Sequence, residues 1–424
     1  MAINRRNLIK TAAVAGTFAM LPKLGYSVSI PSRHKRRVVV IGGGFAGATA
    51  ARYLKMWAPE LDVVMVEKNA QFVSCPQSNL VLSGSRTLQQ LTSDYRALAA
   101  NHDVTTVQAT VTAIDTDKQY VRLDDGTDIS YDRLIVAPGV DFIYDNLPML
   151  SAEIIHSKIP HAWKAGPQTQ LLYDQLKAMR QGGRVVMTIP NAPFRCPPGP
   201  YERACQIALF LKKHNPKGKL IILDANGDIV SKKALFTGAW QKYYPGLIDY
   251  YPSNAVESID VASLTVESLF DSIEADVLNV IPPQKAGKVA ELAGVINVDK
   301  RWCAVDFQTY ESTQVKGVHV IGDAVASNLP KSGHIANAQA KVCAAAVIAL
   351  LKEQQVEAEP VFGNTCYSFV DGDKAGNVAA VFRYNAEDGD MAVMPGGGVS
   401  ASATELEGRF ADAWAKNIWS DILG

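Results

Sequence analysis

The chain has 424 residues, 48% hydrophobic and 20% charged, with 42 Lys+Arg against 42 Asp+Glu, so disorder by charge and a general attraction to nucleic acid are both excluded. At roughly 100–200 residues per domain this length implies two to four domains with real cores. The six cysteines, Cys75, Cys196, Cys205, Cys303, Cys343 and Cys366, are too few for a disulfide-dense scaffold and contain no C-x-x-C pair; zinc ribbons, thioredoxin-type motifs and covalently attached c-type haem drop out, and no metal ligand is assigned.

Residues 1–33 read as an export signal. Asn4-Arg5-Arg6-Asn7-Leu8-Ile9-Lys10 precedes an apolar run from Thr11 to Leu21, too short for the roughly 20 residues that cross a bilayer. The paired arginines resemble a twin-arginine signal, which implies export of a folded protein to the periplasm. No clean cleavage site is present, and the mature start is expected around Ser27 to Arg36. No later segment reads as apolar enough to span a membrane, so a soluble periplasmic protein is expected.

Val38 to Ile41 is a buried strand running into Gly42-Gly43-Gly44-Phe45-Ala46-Gly47, and Ala48 to Trp57 reads as the helix that follows. Gly42 serves the tight turn, Gly44 lets backbone approach a pyrophosphate, and Gly47 allows close helix–strand packing. The next strand, Leu61 to Val66, ends at Glu67, where a carboxylate can accept from a ribose hydroxyl. This unit alone leaves FAD and NAD both open. Two later segments bear on the choice: Ser130 to Gly139, a strand with a glycine turn, and Thr313 to Asp323, a strand ending in Gly322-Asp323 before a helix from Gly333 to Leu351. They resemble the FAD-domain closing strand and the second FAD fingerprint of the disulfide-reductase-like flavoproteins. The resemblance implies FAD, with Asp323 on the ribityl chain and the start of the long helix facing the flavin pyrimidine.

A second Rossmann-like rhythm follows in Gly183 to Pro190 and Leu220 to Asp224, yet its phosphate loop reads Asn191-Ala192-Pro193-Phe194-Arg195-Cys196-Pro197-Pro198-Gly199-Pro200. Prolines remove amide donors and block close approach, so this unit is expected to bind no NAD. The predicted fold is α/β with two Rossmann-like FAD/NAD(P)-type three-layer domains and a C-terminal α+β interface domain. The expected boundaries are 34–150 plus 288–357 for the FAD domain, 151–287 for the unit lacking a nicotinamide loop, and 358–424 for the C-terminal domain.

Cys196 and Cys366 both lie in polar, loop-like settings, whereas Cys205, Cys303 and Cys343 read as buried structural thiols. Cys196 to Arg203, Asn364-Thr365-Cys366-Tyr367, Pro330-Lys331-Ser332-Gly333-His334 and His161 to Gly166 resemble the flavoprotein subunit of flavocytochrome c sulfide dehydrogenase, over residues 37–424. That resemblance implies a redox disulfide between Cys196 and Cys366 beside the flavin, attacked by hydrosulfide; an inert staple is the other reading of two exported cysteines. It implies a covalent bond from Cys75 to the flavin, although Pro76 and Gln77 depart from the family pattern and an unreacted thiol stays open. It gives Lys331, Ser332 and Gly333 to the cofactor, and to Glu202 a proton-handling or orienting role, where a favourable charge in a helix first turn is the plainer explanation. Trp414 matches a tryptophan the family keeps near the flavin, but Leu406, Phe410, Trp414 and Ile418 also form the i, i+4 stripe of a packed amphipathic helix. Trp163 and His334 read as packing or capping residues. With neither haem nor NAD expected in this chain, the implied electron acceptor is a c-type cytochrome subunit. The alternatives are a sulfide:quinone oxidoreductase and a non-catalytic electron-relay flavoprotein. The Glu405–Gly424 segment, with four acids against two bases, is a poor match for a surface that binds anionic lipid.

Overall fold

The computed structural model describes residues 35–268 and 272–424; the export-signal segment 1–33 lies outside them. The elements that position the site begin with β1 (Arg37–Ile41), α1 (Phe45–Trp57), β2 (Asp62–Glu67), β3 (Thr105–Gln108), β4 (Arg133–Val136) and β5 (Val140–Phe142). The middle of the chain supplies β6 (Arg184–Ile189), α2 (Gly199–His214), β7 (Lys219–Asp224), α3 (Lys233–Tyr243), β8 (Ile248–Tyr251), β9 (Val277–Val280) and β10 (Gln284–Ala286). The last part contributes β11 (Val318–Val320), α4 (Gly333–Leu351), β12 (Val361–Phe369), β13 (Ala375–Asn385), β14 (Asp390–Val393) and α5 (Glu405–Leu423).

The first sheet is parallel in the order β11-β4-β1-β2-β3. All five residues of β1 are buried, because α1 packs on the sheet and a separate antiparallel sheet of Val111–Asp115, Tyr120–Leu123 and Asp128–Ser130 shares its core, and a β-branched run suits a strand covered on both faces. Each buried valine contributes about 1.5–3 kcal/mol relative to exposure. The chain leaves β1 where its neighbours β2 and β4 diverge, which is where such sheets bind ligands. The second sheet, β8-β7-β6-β9, is again parallel, and the antiparallel pair β5/β10 lies where the chain passes into and out of it. The antiparallel sheet β12-β13-β14 with α5 completes the C-terminal region.

Three expectations need correcting. The strand read from Thr313 shrinks to Val318–Val320, because Gly317, at φ 79°, and the Glu311 carboxylate bonded to its amide turn the chain first. Helix α4, with a mean hydropathy of 1.4 over its window, is long and apolar enough to span a membrane, contrary to the sequence reading. Much of it is buried against α1 and β12, which explains its apolar composition. In α5 the stripe is not a packed one: Leu406 and Phe410 are about half exposed at 49% and 50%. The buried line runs instead through Gly408, Ala411, Ala415, Ile418 and Ile422. Gly408 lies so near the Asp373 carbonyl that a Cβ there would sit 2.0 Å away, so the first half of the helix docks on its small residues and leaves Leu406 and Phe410 outside.

Candidate functional site

The loop after β1 has the form a dinucleotide needs. A Cβ on Gly42 would lie 2.3 Å from the Ala137 carbonyl oxygen, and one on Gly47 1.8 Å from that of Gly42, while Gly44 faces open space. The first two glycines therefore hold the turn shut, and the third leaves its backbone free for phosphate. Glu67 accepts from the Gly43 amide at 2.7 Å and from Asn69, which fixes its carboxylate at the end of β2. Gly139 and Gly322 both take positive φ, 61° and 79°. Asp323 follows, its carboxyl pushed up by burial and without a side-chain hydrogen bond among the described residues. Ser332 caps α4 by accepting from the Ile335 amide at 3.1 Å. Lys331 donates to the Asp323 and Val325 carbonyls at 2.7 and 2.8 Å and stands 3.8 Å over the Trp302 ring; burial draws its pKa down to about 8. An open phosphate turn, a ribose-competent acid and an unpartnered acid before a helix start together fit FAD.

Next to that helix start is a cavity of about 90 Å³ whose walls include Cys75, Cys196, Cys366, Glu202 and Trp414, together with Lys331, Ser332 and Gly333. Cys196 stands just before α2 in the left-handed region, at φ 57°, and its amide donates to the Lys331 carbonyl at 2.7 Å. Gly199 packs so tightly on it that a Cβ there would lie 2.9 Å from the Cys196 sulfur. Cys366 comes from β12, opposite Val378. Both cysteines are free thiols here, within hydrogen-bonding reach of one another. The bond from Cys196 lowers the Cys366 pKa to about 7, helped by the charge of Lys232 and opposed by burial. The same bond, with burial, pushes Cys196 well up. Cys205, Cys303 and Cys343 are fully buried, as expected, and burial raises all three.

Glu202 is buried in the first turn of α2 and accepts from Asn79 Nδ2 and from the Phe369 amide, each at 2.8 Å. Burial raises its pKa. Its neighbour Arg203 is also buried; its guanidinium donates to Asn79 Oδ1, Asn279 Oδ1 and the carbonyls of His161 and Ala162 and lies 4.7 Å from the centre of the Trp163 ring. Trp163 therefore has a place in the cavity wall as well as in packing. His334 accepts from the Thr365 amide at 2.9 Å, and its ring lies 6.0 Å from that of Trp414, which in turn is 6.1 Å from Tyr367. Cys75 opens a tight turn in which Ser78 Oγ donates to its carbonyl at 2.7 Å, while Trp419 on α5 donates to Ser74 Oγ at 2.9 Å.

Thus the structure gathers the candidates into two adjoining groups, the glycine and acid set around the first sheet and the cysteine set on the cavity. Sequence reasoning missed Asn79, Arg203 and Lys232. Arg203 ends a motif already quoted, and its place beside an acid in an apolar helix face was the available signal; Lys232, in a polar turn, offered none.

At the end of β6 the proline-rich loop is tied to the turn that follows β7. Asn226 accepts from the Ala192 amide at 3.0 Å and donates to the Pro190 carbonyl at 2.9 Å. Asp224, at the end of β7 where a ribose would be met, accepts instead from Tyr201, Tyr250 and Asn226.

Three family models match the chain. The family model "Sulfide dehydrogenase [flavocytochrome c] flavoprotein chain, central" matches residues 169–282, "Flavocytochrome c sulphide dehydrogenase, flavin-binding" matches 358–423, and "Pyridine nucleotide-disulphide oxidoreductase" matches 36–162. The flavoprotein chain of sulfide dehydrogenase [flavocytochrome c] from Chlorobaculum thiosulfatiphilum is 52% identical over 46 residues, which is 11% of this chain and 96% of that sequence. The mitochondrial sulfide:quinone oxidoreductase of Mus musculus is 25% identical over 313 residues, 71% of this chain and 68% of that one. Among solved structures, the sulfide:quinone oxidoreductase of Aquifex aeolicus superimposes with a TM-score of 0.75 at 19% identity, covering 91% of both chains, a likeness of fold.

Proposed function

Because the chain belongs to the flavocytochrome c sulfide dehydrogenase flavoprotein family, an FAD-dependent oxidoreductase family of sulfide oxidation, we propose that it oxidises hydrosulfide at a Cys196–Cys366 disulfide and delivers the electrons to a c-type cytochrome subunit in the periplasm. The observation that carries this reading is that Cys196 and Cys366, 170 residues apart in sequence, meet on the cavity that adjoins the start of α4. Bound FAD would supply a two-electron sink. The residues around it do the rest. Cys196 and Cys366 form the electrophile, Glu202 stands ready to exchange a proton with the opened pair, and Gly199 leaves the Cys196 sulfur room to remain there. Cys75, on the same wall, is the residue proposed to tether the flavin through a thioether.

The Ala192 amide already bonded to Asn226 and the occupied Asp224 support a second unit without a nicotinamide nucleotide, so reducing equivalents enter through sulfide. The paired arginines Arg5 and Arg6 support export. A quinone as acceptor is the second reading, favoured by the similarity to sulfide:quinone oxidoreductases and by the half-exposed Leu406 and Phe410 on α5.

The test is an anaerobic titration of the flavoprotein with sulfide, followed by addition of either oxidised cytochrome c or a soluble ubiquinone. Sulfide is expected to bleach the flavin, and cytochrome c to restore its colour faster than quinone. Rapid recovery with quinone alone favours the second reading; no bleaching by sulfide favours an electron-relay flavoprotein. A separate expectation concerns Cys75: acid-precipitated wild type keeps its yellow colour in the pellet, and Cys75→Ala releases it to the supernatant. Colour in both supernatants would remove the tether.

A further inference from the structure

Lys232 brings a charge to the cysteine pair from a third part of the chain. It is buried at the residue before α3, in the left-handed region at φ 56°. Its Nζ donates to the Cys366 carbonyl at 2.6 Å and to Ser368 Oγ at 2.9 Å. Both acceptors are neutral, and no carboxylate forms an ion pair with it among the described residues. The adjacent Lys233 turns outward to Asp228. A buried ammonium hydrogen-bonded only to neutral oxygens is costly; the Glu202 charge within its reach offsets part of this, and a negative charge forming on the cysteine pair offsets more.

We propose that Lys232 is the positioning residue that fixes which sulfur becomes the anion when the disulfide opens, holding Cys366 as the thiolate so that hydrosulfide attacks Cys196. The step rests on the sulfide-oxidising reading above. HS⁻ forms a bond to Cys196 Sγ, the Cys196–Cys366 bond breaks, and its electron pair goes to Cys366 Sγ. The products are a Cys196 persulfide, which keeps the substrate's proton on its outer sulfur, and a Cys366 thiolate. Disulfide and sulfide are the sole reactants, and two electrons move from the sulfide sulfur into the cysteine pair.

Of the other cations on the cavity wall, Arg195 is bonded to the Trp163 carbonyl and Lys331 to those of Asp323 and Val325, and the remaining charged or titratable groups facing the pair leave this direction in place. Glu202, from α2, opposes a thiolate on either sulfur. His334, from α4, accepts from the Thr365 amide and is kept neutral chiefly by burial. Arg203 lies on the Cys196 side, but its donors are committed to four protein oxygens and its face to Trp163. Lys232 is the cation bonded to the Cys366 backbone itself; its charge lowers both cysteines, but it outweighs Glu202 at Cys366 and is outweighed by Glu202 at Cys196.

The experiment uses the flavin-loaded protein, reduced and then alkylated with iodoacetamide across pH 5–10, with each cysteine followed by peptide mass. In wild type the Cys366 midpoint is expected near pH 7. In Lys232→Met it rises by about one to two units, and Lys232→Arg returns it toward wild type; Lys232→Gln serves if the methionine variant loses its flavin. One anaerobic equivalent of sulfide is expected to leave its extra sulfur on the Cys196 peptide. An unchanged midpoint in the neutral variants, or extra sulfur on Cys366 in wild type, overturns the assignment to Lys232 while leaving sulfide oxidation intact. If sulfide marks neither cysteine in wild type, the functional reading fails and the inference falls with it.

Discussion

Cys196→Ser and Cys366→Ser are each expected to slow flavin reduction by sulfide by at least about 1,000-fold, with the double variant no slower than either alone. A serine oxygen cannot form the S–S bond that makes the pair electrophilic, so losing one partner removes the whole reacting unit. Serine is close to cysteine in size, and neither sulfur is needed to hold the chain in place: the Cys196 amide is bonded to the Lys331 carbonyl and Cys366 is registered in the β12/β13 ladder by backbone bonds. The variants should therefore keep their flavin and fold, and the loss should appear in the rate. Anaerobic stopped-flow at the flavin absorption band measures it. If either variant bleaches as fast as wild type, the pair is a structural staple and the proposed chemistry is wrong. Dithionite must still bleach both variants, which separates a lost electrophile from a lost cofactor.

The parts of this molecule that could be read from sequence are those whose physics is local. Gly42, Gly44 and Gly47 announce a turn and a close approach because only a missing side chain allows either, and the glycine environments match that reading. The β-branched run Val38–Ile41 announces a strand buried on both faces, as found. The prolines after Asn191 announce a loop poor in amide donors; the amide of Ala192 that remains is taken up by Asn226.

What stayed hidden depends on distant segments meeting. Lys232 belongs to the second sheet's domain yet serves β12, 134 residues on, and nothing in its own neighbourhood in sequence says so. The stripe in α5 misled for a related reason. Periodicity finds an apolar face, but the face that docks was decided by how closely Gly408 and Ala411 let the helix approach the sheet. Leu406 and Phe410 had the right spacing and were left outside.

Arg203 carries the other large expected effect, and it is one of stability. Its guanidinium supplies every hydrogen bond to the Ala162 carbonyl and to Asn79 Oδ1 among the described residues, and shares the His161 carbonyl with Asn279. Arg203→Met removes a charge but leaves the Ala162 carbonyl and Asn79 Oδ1 without donors, at a cost of about 3–5 kcal/mol for breaking a buried charged network from one side. Lost contact with the Trp163 face adds to it. Arg203→Lys should recover little, since one ammonium cannot reproduce a planar fork that meets four oxygens at once. The damage should also reach the chemistry: Asn79 is held by Arg203 on one side and holds Glu202 on the other, so a loosened Asn79 frees the carboxylate that faces the cysteines. Thermal release of flavin fluorescence should therefore begin about 10 °C lower in Arg203→Met, and sulfide reduction of what stays folded should be slowed as well. Asn79→Ala, which leaves the guanidinium and its carbonyls in place, should reproduce the slowed reduction with a much smaller thermal shift. Equal thermal stability in Arg203→Lys and wild type would show that the site needs a positive charge there and not the fork.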